Sequence, residues 1–158
     1  MAHITIEYII MIPLLISQII LFPLVASWIM NRWVDERRIL TLQEIASHLG
    51  STIQQIFFSL NHTTISAGIV TQKSTVPRFI EIYPYTGTAT LVPVSGLGSS
   101  KALEITLQLG TVGTTVKASA ILGSNVLWQE SVFVSNSTNA CIVGEKFTNG
   151  TICLFFGG

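Results

Sequence analysis

The sequence predicts an α+β chain, with one long hydrophobic helix over residues 1–60 followed by an antiparallel β-sandwich of immunoglobulin-like type over residues 61–158. Three observations carry that expectation. Tyr8 to Asn31 contains no charged residue, and a run of about 20 apolar residues matches a hydrocarbon core of ~30 Å. The apolar pattern then continues at helical period to Leu60 instead of ending at an interface. Beyond Asn61, short β-branched and apolar runs alternate with Gly, Pro, Ser and Asn clusters, which is the spacing of an antiparallel sandwich.

Composition narrows the function classes. Hydrophobic residues make up 49% of the 158 and charged residues only 10%, where a soluble domain averages about 25%. Eight basic and eight acidic residues balance to zero, so the chain carries no electrostatic footprint for nucleic acid or acidic lipid.

Residues 1–7, MAHITIE, hold no Lys or Arg and show neither the positive opening nor the small-residue cleavage site of a secretory signal. Glu7 stands one step before the apolar run, where a carboxylate must stay at the interface or find a partner on burial. Pro13 and Pro23 lie inside the run and free the carbonyls of Ile9 and Ile19, a break tolerated where neighbouring helices cover the backbone. Ser17 and Gln18 read as helix–helix hydrogen-bonding groups, and Trp28 and Trp33 as an interfacial aromatic belt.

From Ile39 the helix becomes amphipathic. Ile39, Leu42, Ile45, Leu49, Ile53, Ile56 and Leu60 recur every three or four residues, with Arg37, Arg38, Gln43, Glu44, Ser47, Ser51 and Gln54 on the other face. A helix from Ile6 to Leu60 is roughly 80 Å long at 1.5 Å per residue. That exceeds what a membrane requires, so the stripe is expected to have a partner.

The β-region is expected to place strands at 79–83, 102–109, 114–121, 126–134, 140–143 and 151–156. Alternation is strict at 102–109, where Leu103, Ile105, Leu107 and Leu109 face one way and Glu104, Thr106 and Gln108 the other. The prolines in Tyr83-Pro84-Tyr85 and Leu91-Val92-Pro93-Val94 argue for edges or loops there, and Ser95 to Ser100 reads as a turn. With a hairpin centred near Phe147, Cys141 faces Cys153, and a disulfide is expected in an oxidising compartment. The sequons at Asn61, Asn136 and Asn149 also point to an exposed extracellular region.

No catalytic constellation is expected. His3, His48 and His62 lie on or beside the helix, Asp35 is the only aspartate, and two cysteines without a His or carboxylate cluster cannot make a four-ligand metal site. Cofactors and metals are therefore not expected.

His3-Ile-Thr-Ile-Glu7-Tyr8 followed by an uncharged apolar run resembles the start of archaeal type IV pilins with class III leaders. The segment from Glu7 through Pro13-Leu14-Leu15 is also similar to pseudopilins of the tight-adherence type. The resemblance covers about the first thirty residues, with His3 where the pattern has Gln and Met-Ala in place of a long basic leader. It implies a lollipop-shaped pilin whose N-terminal helices bundle into a filament core, with Glu7, Pro13, Leu21, Pro23 and Leu24 in assembly positions. The implied partners are copies of the same chain, the membrane before assembly, and the pilus assembly machinery. The alternative is a monomeric membrane-anchored β-sandwich ectodomain that binds a partner or glycan.

Overall fold

The computed structural model describes residues 2–94, 99–110 and 113–158, with side chains described from Met11 onward and at Ile9. The turn expected at Ser95 to Ser100 therefore lies largely outside the described residues. A single helix, α1 (Ala2–Leu60), carries Pro13 and Pro23 without being ended by either. Among the described residues eight strands follow: β1 (Gly68–Lys73), β2 (Tyr85–Pro93), β3 (Lys101–Leu109), β4 (Thr115–Leu122), β5 (Val126–Trp128), β6 (Val132–Val134), β7 (Cys141–Lys146) and β8 (Ile152–Gly157). The chain is thus α+β, with one long apolar helix and two sheets rich in antiparallel pairs. It divides into two compact units, Met1–Arg38 and Ile39–Gly158, which groups the second half of α1 with the strands.

One sheet has the order β1-β7-β8-β5 and the other β4-β3-β2-β6. Every pairing is antiparallel except β5 with β8. The inward residues of β3, namely Leu103, Ile105, Leu107 and Leu109, are fully buried, as the alternation predicts. They share a core with Ile142 of β7, with Ile152, Leu154 and Phe156 of β8, and with Leu42, Ile45, Ala46, Leu49, Ile53, Ile56, Phe57 and Leu60 of α1. From Leu42 to Leu60 the helical stripe is therefore covered by the chain's own sheets, while its expected first member, Ile39, is exposed. Each such Leu or Ile side chain contributes about 2 kcal/mol by leaving water.

The close approach of α1 to the sheets depends on small residues. A Cβ at Gly144 of β7 would stand 2.5 Å from Ile56 Cγ2 and 2.8 Å from Leu60 Cδ1, so glycine is what lets the helix lie against this strand. At the helix end the Asn61 amide donates to the Phe57 carbonyl at 2.8 Å. The Lys146 ammonium donates to the His62 carbonyl at 3.2 Å, a cation placed where the helix dipole is negative.

Several sequence expectations are corrected. Residues 79–83 form no strand: Ile80 and Tyr83 exchange both backbone hydrogen bonds at 3.0 Å, and Glu81 takes φ 58. That is a tight reversal, which the apolar alternation of Ile80 and Ile82 disguises. The following segment, expected as edge or loop at its prolines, fits that expectation at both: Pro84 lies in a loop, and β6 pairs with Thr86, Gly87 and Thr88 alone, so 91–93 form an open edge of β2. Pro84 precedes it, and Pro93 falls where its missing N–H does no harm. The Val94 amide donates to the Ser100 carbonyl at 3.1 Å, so alternation turns position 93 away from β3. The run 126–134 is two short strands in different sheets, and β1 is a strand the sequence did not announce.

The cysteine pairing is also corrected. Cys141 lies opposite Gly157, and Cys153 opposite Glu145; both thiols are free. The β7–β8 loop closes through Phe147 and Thr151, with Gly150 at φ 82, so the hairpin is centred at Asn149. Moving the centre by two residues from Phe147 moves every cross-strand partner by four. The two cysteines are then about 13 Å apart along the strands, beyond the ~7 Å that a disulfide can bridge.

Candidate assembly surface

The described side chains of the first unit face the surroundings all round the helix. From Met11 to Trp33 the large apolar residues are exposed, among them Leu21 at 55%, Phe22 at 78% and Leu24 at 62%. An amphipathic stripe would leave one face polar, whereas here Ser17 and Gln18 are the main polar interruptions. Such a surface is stable only in contact with lipid or other helices. The helix is long and apolar enough to cross a membrane.

Pro23 shapes this surface. Its ring sits in the helix without an N–H for the Ile19 carbonyl, and Leu15, Gln18, Ile19, Phe22 and Pro23 line a shallow hollow beside that position. Pro13 stands in the same uninterrupted helix. The pairing expected for Glu7 lies outside the described side chains.

The end of the apolar run is marked by rings and charges together. Trp28 and Trp33 are both 62% exposed, and the Arg32 guanidinium lies 5.9 Å from the centre of the Trp28 ring. Arg32 also reaches Glu36 at 3.3 Å, and Arg38 reaches Asp35 at 3.2 Å. These pairs sit one helical turn apart and are individually weak. They nevertheless place polar groups where the apolar surface stops.

On the second unit, Asn61, Asn136 and Asn149 are all exposed. Asn149 Oδ1 accepts from the Thr151 amide at 3.0 Å, and Asn61 Oδ1 accepts from Asn125 Nδ2 at 3.1 Å. The Cys153 thiol is pushed up from its ordinary pKa, first by burial and then by the Glu145 carboxylate opposite it. Burial likewise raises the Tyr85 phenol, whose hydroxyl donates to the Pro77 carbonyl at 2.6 Å. Among the described residues, no three His, Cys, Asp or Glu side chains gather where they could hold a metal.

Sequence reasoning missed Gly144, which has no signal beyond its residue type. No family model, curated protein or solved structure matches the chain.

Proposed function

We propose that the chain is a structural subunit of a type IV pilus-like extracellular filament, held in the membrane by α1 and then polymerised with copies of itself. The observation that carries this reading is a contrast along one continuous helix. The apolar stripe of Leu42, Ile45, Leu49, Ile53, Ile56 and Leu60 is covered within the chain, with Phe58 outside it and exposed, while the large apolar residues of 11–33 are exposed throughout. A lipid phase satisfies the exposed stretch before assembly, and a water-excluding bundle of neighbouring helices satisfies it afterwards. The exchange changes little in transfer energy, so close packing holds the bundle. Neighbouring helices also cover the carbonyls that Pro13 and Pro23 leave free.

In that assembly Glu7 pairs with the N-terminal amine or another donor of an adjacent subunit, since an unpaired charge removed from water costs several kcal/mol. The pilus assembly machinery moves the subunit out of the bilayer, and the filament serves surface attachment. The outward domain is read as an immunoglobulin-like sandwich, supported by its two four-stranded sheets and the buried tyrosine bonded to backbone eight residues upstream. Glycans at Asn61, Asn136 and Asn149 would coat a chain that has few charges of its own. Intact-mass measurement of native protein should exceed the polypeptide mass, and the bare mass would remove the glycan claim.

A second reading is favoured by one observation. Because the chain's own sheets cover the stripe from Leu42 to Leu60, the folded second unit requires no outside helix there, which suits a monomeric membrane-anchored ectodomain equally. Negative-stain microscopy of native material decides between them. Filaments labelled by an antibody to this chain are expected. Protein that is monodisperse in native membranes, on cells without filaments, would replace the filament reading with the ectodomain.

A further inference from the structure

Between β1 and β2 the chain travels to one end of the second unit. Lys73 and Ser74 line a hollow with Leu49 and Thr52 of α1, and Val76 and Pro77 line the next one with Thr41 and Ile45. The segment thus descends along α1 toward Ile39, where the unit begins. β2 climbs in the opposite sense. A Cβ at Gly50 would stand 3.7 Å from Ile105 Cδ1, and Ile105 lies opposite Ala89. One turn further along α1, Gln54 Nε2 donates to the Ile121 carbonyl at 2.9 Å; Ile121 lies opposite Ala102, and Ala102 opposite Val92. β2 therefore rises with α1, and its first residue, Tyr85, lies at the end near Ile39.

Residues 77–83 form a tip at that end, and their backbone is fastened along its length. The Tyr85 hydroxyl donates to the Pro77 carbonyl at 2.6 Å, and the Ser135 hydroxyl to the Arg78 carbonyl at 2.8 Å. Ile80 and Tyr83 exchange backbone hydrogen bonds at 3.0 Å, and Ile80 is buried. With Ile80 turned into the core, Phe79 and Ile82 are turned out, 48% and 77% exposed. Glu81 between them holds φ 58, a left-handed conformation that a non-glycine residue keeps only where its surroundings impose it. Connections at the far end of the unit present polar side chains instead: Asn61 to Thr64, and Thr148 with Asn149, are exposed. One exposed apolar residue is ordinary. Two large ones, fixed on a short tip beside the exposed Pro77 and Arg78, have the composition of a segment that lies in a lipid–water interface.

We infer that this tip rests in the headgroup layer of the bilayer that α1 enters, with Phe79 and Ile82 at the acyl boundary and Arg78 on lipid phosphate. Within α1, Thr41 follows Trp33 by about 12 Å at 1.5 Å per residue, and Trp33 belongs to the aromatic belt at the membrane edge. A headgroup layer is roughly 6 Å deep. The tip starts beside Thr41 and continues past Pro77, so the layer and the tip's own reach close that distance. Arginine suits the role because its planar fork matches phosphate oxygens. The contact holds the second unit against the bilayer while α1 is in lipid, and it is given up when the subunit leaves. The inference rests on the membrane-held state, which the filament and ectodomain readings share.

The test uses the full chain with Cys141→Ser and Cys153→Ser, reconstituted in phosphatidylcholine vesicles. A polarity-sensitive fluorophore is attached at a single introduced cysteine: Phe79→Cys, Ile82→Cys, Phe147→Cys at the far end, or Leu21→Cys in the apolar run. Labels at 79 and 82 are expected to emit at shorter wavelength than the label at 147. Bromine carried on the acyl chains should quench them, and iodide on both sides of the membrane should not; at 147 iodide alone should quench. If 79 and 82 respond as 147 does while the label at 21 is quenched by bromine, the tip inference falls and the membrane reading stands. If bromine leaves the label at 21 untouched as well, the membrane reading fails and the inference with it. Protection of 79 and 82 from both quenchers would mean that protein covers the tip, which also overturns it.

Discussion

Replacing Leu24 by Lys should block polymerisation without disturbing the second unit. Leu24 is 62% exposed and belongs to the unit that ends at Arg38, so the core formed by Leu42 to Leu60 and the sheets contains none of its contacts. The leucine's own apolar term nearly cancels between detergent and a packed bundle, because both cover it. What remains is the ammonium, which reaches water from a micelle and loses it in a helix core, at a cost of about 3 kcal/mol. Each added subunit bears that cost, so the critical concentration for assembly should rise about a hundredfold. Leu21→Lys should behave alike, whereas Ser47→Lys, on the exposed face of the second half of α1, should change nothing. The assay is pelleting and negative-stain counting of filaments after detergent removal, with denaturant unfolding of the β-region as control. Normal filaments from both leucine variants at wild-type concentration would refute the buried-core reasoning.

Three further outcomes follow from the second unit. Gly144→Ala should lower its unfolding free energy by about 1–3 kcal/mol, the usual cost of overpacking, because the new methyl meets Ile56 and Leu60 at 2.5 and 2.8 Å; an unchanged urea midpoint would show that α1 can move away. Because burial raises the Tyr85 phenol above its ordinary value of 10.0, its contribution to stability should be whole below about pH 10 and fall as pH climbs above that, where the unfolded chain ionises first. Tyr85→Phe should lose the bond to Pro77 and also flatten that alkaline slope, and an equally steep slope in the variant would assign it elsewhere. Finally, maleimide treatment of unreduced, denatured protein should add two labels, at Cys141 and Cys153; a mass without labels would restore the disulfide and require the β7–β8 register to move.

Local periodicity exposed what depends on a single element and hid what depends on two. The stripe from Leu42 to Leu60 and the alternation in β3 are legible because burial on one face imposes a period of 3.6 or 2 on the residues themselves. The identity of the stripe's cover was not legible, since an apolar face looks the same whether a sheet of its own chain or another subunit lies against it. The register of β7 and β8 was within reach: Asn149-Gly150 is the stronger turn signal, and centring the hairpin there separates the cysteines, whereas centring it to join them borrows the answer from the residues being explained. The prolines around β2 were legible too, since Pro84 lies in a loop and the missing N–H of Pro93 falls on the edge that β6 leaves open. The same logic separates the two units. The second unit buries the apolar stripe of its helix against its own sheets, whereas the large apolar residues of 11–33 are exposed, so the filament proposed above would be assembled along 11–33.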